Sequence, residues 1–248
     1  MMFGRCLARS IAIATLLLIA VAPASRAQTA QTMAGMQAYN AGDVATAYRL
    51  LRQEADAGDA EAQVNLGYLY ARGQGVTADQ HEAFRRYAQS AEQGNSEGMN
   101  ALGYKYQYAT GVPRDIARAV SWYCQAVAFG NARAMNNLAI MLDQGRDLPR
   151  DEAEARSLWQ QSAALGHVNA MVNLGLSYIE WHGAQIDPAT GMQWMLRAAR
   201  AGQPNAQDWL RRNGFNGPLP PPVDWAARMV PTVRNAAGHT KVCGAPIA

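Results

Sequence analysis

Four histidines and three cysteines are the first side chains of this 248-residue chain to test for chemistry. His81, His167, His182 and His239 make no pair at helical spacing, so no two imidazoles share a helix face as metal ligands do. Glu180, His182 and Asp187 stand close in sequence and offer donors to a cation, but ordinary loop polarity accounts for them equally well. A metal site needs three or four convergent ligands, and none is expected. The chain carries no Gly-x-Ser-x-Gly elbow and no Gly-x-x-x-x-Gly-Lys phosphate loop. Cys124 would need exposure to act as a nucleophile, yet it stands among packing residues such as Tyr123 and Ala126. The expectation is a protein without catalytic residues, metal or cofactor.

Recognition chemistry is better represented, and it recurs. Gly58, Gly94, Gly130, Gly166 and Gly202 follow one another at intervals of 36 residues. Seven residues after them stand Asn65, Ala101, Asn137 and Asn173, and Asn100 and Asn136 lie one residue earlier. An asparagine amide both donates and accepts, so a row of them can pair with a partner's backbone. Three and seven residues beyond this position come Tyr68 and Arg72, then Tyr104 and Tyr108, then Ile140 and Gln144. On a helix these share the asparagine's side, and tyrosine and arginine are favoured interface anchors. The expected partner-binding set is therefore Asn65, Tyr68, Arg72, Asn100, Tyr104, Tyr108, Asn137, Gln144 and Asn173.

The same period defines the elements that must carry these residues. Four residues after each glycine stand Ala62, Gly98, Ala134, Ala170 and Ala206, and eight after stand Leu66, Leu102, Leu138, Leu174 and Leu210. Nine after come Gly67, Gly103, Ala139 and Gly175; twelve after come Tyr70, Tyr106, Leu142 and Tyr178. Those spacings make one apolar stripe of a helix, with small residues that let a second helix approach. Asp79, Asp115, Asp151 and Asp187 then read as N-caps, with Glu82 and Glu154 completing capping boxes and Pro188 at a first helical position. The second helix packs through Ala83, Ala119, Ala155 and Gly191, with Tyr87, Tyr123 and Trp159, and ends on the next glycine as a left-handed cap. Each unit reads as helix A, a loop, helix B and a turn. Such units bury their apolar faces only by stacking, which predicts a solenoid. Asp43 and Ala47 keep the offsets of Asp79 and Ala83, so residues 28–58 read as a compressed first pair.

Residues 62–76, 111–115 and 122–126 carry a pattern that resembles the Sel1-like repeat family, relatives of tetratricopeptide repeats with a longer inter-helix loop. The pattern departs at Asp147, which replaces the second loop glycine of the third unit, and at Trp181 and His182 in the fourth. The expected fold is all-α, a right-handed α/α solenoid with repeats at 59–94, 95–130, 131–166 and 167–202 and a capping helix at 203–215. The resemblance implies adaptor or regulatory work in bacterial envelopes, on a membrane sensor or an envelope assembly system. One branch of the family binds or hydrolyses β-lactams, and its members carry a cysteine pair in each repeat, which this chain lacks. A peptidoglycan or carbohydrate binder using the tyrosines is a further alternative.

The ends bound the setting. Arg5 and Arg9 precede an apolar run at 11–22, and Ser25, Arg26 and Ala27 supply a cleavage site, so residues 1–27 read as a secretory signal. The run is short of the roughly 20 residues a membrane span needs, and no stable insertion is expected after cleavage. Cys6 precedes the run and is not placed as a lipoprotein cysteine. Cleavage removes three arginines and leaves 19 basic against 19 acidic residues, which gives no support to nucleic-acid binding. The expected partner is a protein of the cell envelope, met in the periplasm or outside the cell. Residues 216–248 are proline-rich, with polyproline II expected at 218–222 and Trp225, Met229 and Val230 available for docking; a loose tail is the alternative. An oxidising compartment permits a Cys124–Cys243 disulfide; the alternative is a buried Cys124 with a free tail thiol.

Overall fold

The chain was analysed as a computed structural model, which describes residues 22–180, 186–215 and 241–244. Every regular element among them is helical: α1 (Ala22–Asn40), α2 (Val44–Asp56), α3 (Ala60–Arg72), α4 (Gln80–Glu92), α5 (Ser96–Tyr108), α6 (Ile116–Ala128), α7 (Ala132–Gln144), α8 (Glu152–Ala164), α9 (Val168–Glu180), α10 (Pro188–Arg200), α11 (Pro204–Arg212) and α12 (Lys241–Gly244). Consecutive helices pack in pairs, α3 on α4 through α9 on α10, and each pair stacks on the next. This is the all-α solenoid expected from the 36-residue period.

The close approach within each pair has the expected cause. A Cβ at Gly67 would lie 2.8 Å from the Tyr87 ring, and one at Gly103 would lie 2.6 Å from Tyr123. At Gly191 it would meet the Gly175 carbonyl at 2.7 Å. Leu66, Leu102, Leu138, Leu174 and Leu210 are all buried beside these contacts. Between pairs, a helix-B residue meets a helix-A residue 22 positions on. Tyr48 meets Tyr70 edge-on at 5.9 Å, Phe84 meets Tyr106 at 5.6 Å, and Arg156 lies 4.6 Å from the centre of Tyr178.

The caps follow the aspartates. Asp79, Asp115, Asp151 and Asp187 accept backbone N–H groups of the first turn of α4, α6, α8 and α10, and Asp43 does so for α2. The capping boxes do not close. The N–H of Asp79 donates to the Tyr70 carbonyl and that of Asp151 to the Leu142 carbonyl, so no donor is left for Glu82 or Glu154. Glu82 instead binds Arg85 and Arg86. The period glycines Gly58 to Gly202 all have positive φ, as helix-ending turns require.

The loops diverge where the sequence departs. A Cβ at Gly75 or Gly111 would stand 2.4 Å from the Val44 or Gln80 carbonyl, so these loops press on the start of the preceding helix B. In the third unit Asp147 pairs with Arg114 instead, outside the left-handed region. Trp181 and His182 lie outside the described residues, and with His182 goes the Glu180–His182–Asp187 grouping.

At the N-terminus, α1 begins at Ala22, inside the expected signal segment. Residues 28–40 of α1 make thirteen residues, the length of α2 to α10. A three-residue connection, 41–43, replaces the seven-residue loop of later units. At the other end, α11 is the short terminal helix and exposes Arg211 and Arg212. Of the tail, only α12 is described; residues 218–222, Trp225, Met229 and Val230 lie outside. Cys243 of α12 is bonded to Cys124 of α6, with Cα atoms 5.4 Å apart. The Val242 N–H donates to Glu154 Oε1 of α8 at 3.0 Å. The tail segment thus straps two B helices. Among the described residues, no helix is long and apolar enough to cross a membrane.

Candidate partner-binding face

Uncovered tyrosine surface recurs along the helix-A row, while Phe129 at the end of α6 is an exposed ring on the helix-B side. Each A helix starts from a polar residue one position after the period glycine: Asp59, Asn95, Asn131 and then His167, whose Nδ1 accepts the Ala170 N–H at 3.3 Å. Burial holds His167 below the usual imidazole range, with Arg133 adding to the effect. The buried stripe fixes which residues turn outward. Tyr68, Tyr104 and Tyr108 are 37%, 49% and 52% exposed, although each is a large ring on a well-packed helix.

Their geometry is ordered. The Arg72 guanidinium carbon lies 4.8 Å from the centre of the Tyr68 ring, and Tyr39 meets the same ring edge-on at 6.1 Å. Tyr104 and Tyr108, one turn apart on α5, have ring centroids 4.5 Å apart. Partial burial raises the Tyr68 and Tyr108 phenols above their ordinary value. The pairs present preordered amphipathic aromatic surface, the Tyr104 and Tyr108 rings tilted 42° to each other.

The asparagines play a different part. Asn137 Nδ2 donates to Asn100 Oδ1 at 3.0 Å, and Asn173 Nδ2 donates to Asn136 Oδ1 at 3.0 Å. Asn100 and Asn136 are 9% and 6% exposed, and each joins its repeat to the next. Asn65, Asn137 and Asn173 are half-buried, and Gln144 is exposed at the end of α7. Beneath the row lies a polar interior that the sequence did not announce. Lys105 is 4% exposed, its ammonium donating to Gln80 and standing 5.8 Å from the Tyr87 ring centre. Burial lowers its pKa. The Tyr123 hydroxyl donates to Gln107 Oε1 at 2.9 Å.

Further along the row the tyrosines give way to Ile140 and Leu176, and a cavity of about 350 Å³ opens between α7, α8 and α9. Its walls include Asp143, Gln144, Trp159, Asn173 and Glu180. It brings two of the expected binding residues, Gln144 and Asn173, to one place. Of the other walls, the sequence offers Glu180 only as a candidate cation donor with His182 and Asp187, and Trp159 only as helix-B packing, and does not single out Asp143; the loss of Tyr at positions 140 and 176 is the available signal for the cavity. Among the described residues, no three His, Cys, Asp or Glu side chains converge as a metal site would require.

Comparison with known proteins agrees with this architecture. The Sel1 repeat pattern matches residues 60–95, 96–128, 132–167 and 168–203. A Sel1 repeat protein from Oxalobacter formigenes is similar at 25% identity and a TM-score of 0.61, over 84% of this chain and 83% of that one. The antigen c5321, described as a protective antigen present in uropathogenic Escherichia coli strains and displaying an SLR fold, is similar at 26% identity and a TM-score of 0.60. That match takes in 87% of this chain but only 47% of c5321, so the chain spans about half of its length. A Sel1 repeat protein from Klebsiella pneumoniae subsp. pneumoniae shares the fold at 20% identity and a TM-score of 0.55, over 77% of this chain and 96% of that one. No functionally curated protein matches the sequence. With four successive units matched, more than half of its length, and the helix pairs stacked as those units require, the chain belongs to the Sel1 repeat family.

Proposed function

We propose that this Sel1 repeat scaffold works in the periplasm or outside the cell, binding a protein of the envelope through its helix-A face. Tyr68, Arg72, Tyr104 and Tyr108 are the anchors, with Asn65, Asn137, Gln144 and Asn173 supplying hydrogen bonds. The observation that carries this is the ordered exposure of Tyr104 and Tyr108 beside the Tyr68–Arg72 stack, on consecutive A helices. Solenoid curvature turns such a row into an extended concave surface, and preordered rings lose little entropy on contact. The partner would be a membrane sensor or a component of an envelope assembly system.

Two observations support the compartment. The Cys124–Cys243 bond suits an oxidising environment. Cleavage after Ala27 would also leave a thirteen-residue first helix, matching its successors. The protein is proposed to act without catalysis. Cys124, the one cysteine within the repeats, is tied to Cys243 and so not a ready thiolate nucleophile.

The test is in-cell crosslinking of the tagged protein beside a Tyr104→Ala, Tyr108→Ala variant. A membrane sensor or assembly component captured by the native protein and lost from the folded variant supports the reading. Equal capture by both overturns it. The exposed, adjoining rings of Tyr104 and Tyr108 also suit a sugar ring, so retention on murein that disappears in the same variant would favour a carbohydrate binder.

A further inference from the structure

We propose, building on the secretion reading above, that cleavage after Ala27 creates an ion pair: the new α-ammonium of Gln28 is held by the buried carboxylate of Glu54 on α2. Glu54 is 4% exposed, its Oε2 has no hydrogen-bond partner, and no basic side chain is bound to it among the described residues. Arg52 and Arg86 pair with Asp56, and Arg86 also with Glu82. Burial pushes the Glu54 carboxyl up, and the charge of Asp59 adds to the effect. A buried carboxylate without a donor is costly, and it marks a place where a cation belongs. Thr32 of α1 is 1% exposed, and its hydroxyl also has no partner.

The repeat fixes what Glu54 faces. Ser90 and Ser162 hold the corresponding place on α4 and α8. Their hydroxyls donate to the carbonyls of Ala60 and Ala132, the first residues of α3 and α7, at 2.6 and 2.7 Å. Each serine lies 30 residues beyond its acceptor. The first connection is three residues long where the others are seven, so the same contact brings Glu54 to Gln28. The packing agrees. A Cβ at Gly35 would meet the Leu51 side chain at 2.9 Å, as one at Gly67 would meet Tyr87 at 2.8 Å. In a pair of antiparallel helices that register sets Thr32 opposite Glu54. Where later pairs aim a hydroxyl donor at a carbonyl, the first pair thus has a carboxylate, which accepts only. The intact chain gives it no charged donor, because α1 runs back to Ala22 and the nitrogen of Gln28 is a neutral amide within a helix. Cleavage turns that nitrogen into an ammonium with three N–H groups. A cation at a helix N-terminus opposes the helix dipole, and an adjacent carboxylate offsets it. Processing thereby completes the end of the solenoid that no earlier repeat covers.

The test uses the processed protein, native and Glu54→Gln, purified from the periplasm of cells expressing the full chain. Mass spectrometry reads the N-terminus, which should be Gln28 with a free amine. Acetic anhydride then labels that amine, followed on the N-terminal peptide. An α-amine ordinarily titrates near pH 8, and a rise of one unit makes labelling about tenfold slower near pH 7. The native protein should therefore label at least about tenfold more slowly than Glu54→Gln. A glutamine can donate to the Gln28 carbonyl as the serines do to theirs, so the variant stays folded with a cooperative melt. Asp59→Asn keeps the α3 cap and should leave the slow rate in place. Equal rates in native and Glu54→Gln protein, or the same acceleration from Asp59→Asn, overturn the ion pair while a Gln28 terminus upholds the cleavage reading. A terminus at another residue, an uncleaved chain, or a chain isolated wholly as pyroglutamate overturns the ion pair, and the first two overturn the cleavage reading with it.

Discussion

Ala109 is the one non-glycine residue among those described with positive φ, 56°, at the C-cap of α5. Gly73 and Gly145 hold the same place in neighbouring units at 66° and 61°. A Cβ in the left-handed region costs about 1 kcal/mol, so Ala109→Gly should stabilise the protein and raise its melting temperature by ~2–4 °C. An unchanged or lower value by calorimetry would show that the unit tolerates alanine without strain. Buried phenols form the second residue-scale signature. Burial pushes Tyr70 up to about 12, aided by its bond with Tyr48, and pushes Tyr87 and Tyr123 up further still. A raised folded pKa means the native state keeps protons that the unfolded chain releases near pH 10. That stability is fully present below pH 10 and is lost as pH rises through the folded values. Alkaline melts should therefore decline steeply above pH 10, and phenolate absorbance should show these tyrosines titrating only with unfolding. Titration in the native state would contradict their burial. Much of this packing was legible, since period and residue type alone placed Tyr87 and Tyr123 on helix B. Asn100 was not, because one residue of helical offset turns a side chain about 100°. That turn carries Asn100 from the outer row to the repeat boundary, where it accepts from Asn137.

Helices start and stop here through caps that vary in how they respond to pH. His167 caps α9 only while Nδ1 is unprotonated. Its folded pKa is lowered, so the unfolded chain takes up a proton first as pH falls below 6.5. The cap's contribution is present above that value and is lost as pH drops through the lower folded pKa. His167→Asn, matching Asn95 and Asn131, should keep the cap and flatten the dependence of melting temperature as pH falls below about 6.5. A dependence unaltered by this substitution would place its origin elsewhere. At the core of the same element type, Leu102 is 1% exposed. Leu102→Ala should cost roughly 2–5 kcal/mol by denaturant melts, and an unchanged midpoint would contradict the packing register. The helix-B caps were readable because aspartate recurs before an apolar run. The failed capping boxes were not, because their donors are taken by helix-A carbonyls nine residues back, a tertiary bond with no local signature.

At the scale of the molecule, stacked nearest-neighbour units explain both the elongated core and the continuous face of A helices. The strap of α12 across α6 and α8 is the long-range exception, closing 119 residues with one disulfide. Reduction should lower stability by about 2–4 kcal/mol. Hydrogen exchange should quicken in α6 and α8 while α3 and α4 stay protected, because repeats couple mainly to their neighbours. Uniform loosening of every repeat would contradict that picture. The period announced the solenoid, but the strap was only one of two options in sequence, since Cα proximity across 119 residues is a property of the folded chain. The cavity was less legible still, arising from the joint absence of two tyrosines and the convergence of two helix ends. The account's central claim is that partners meet the A helices and not the B helices. Site-specific photocrosslinking in cells tests this most directly, with the probe placed at Tyr104 on α5 or at Ser121 on α6, both exposed. The account predicts one envelope protein crosslinked from position 104 and none from position 121. The same product from position 121 alone would contradict it.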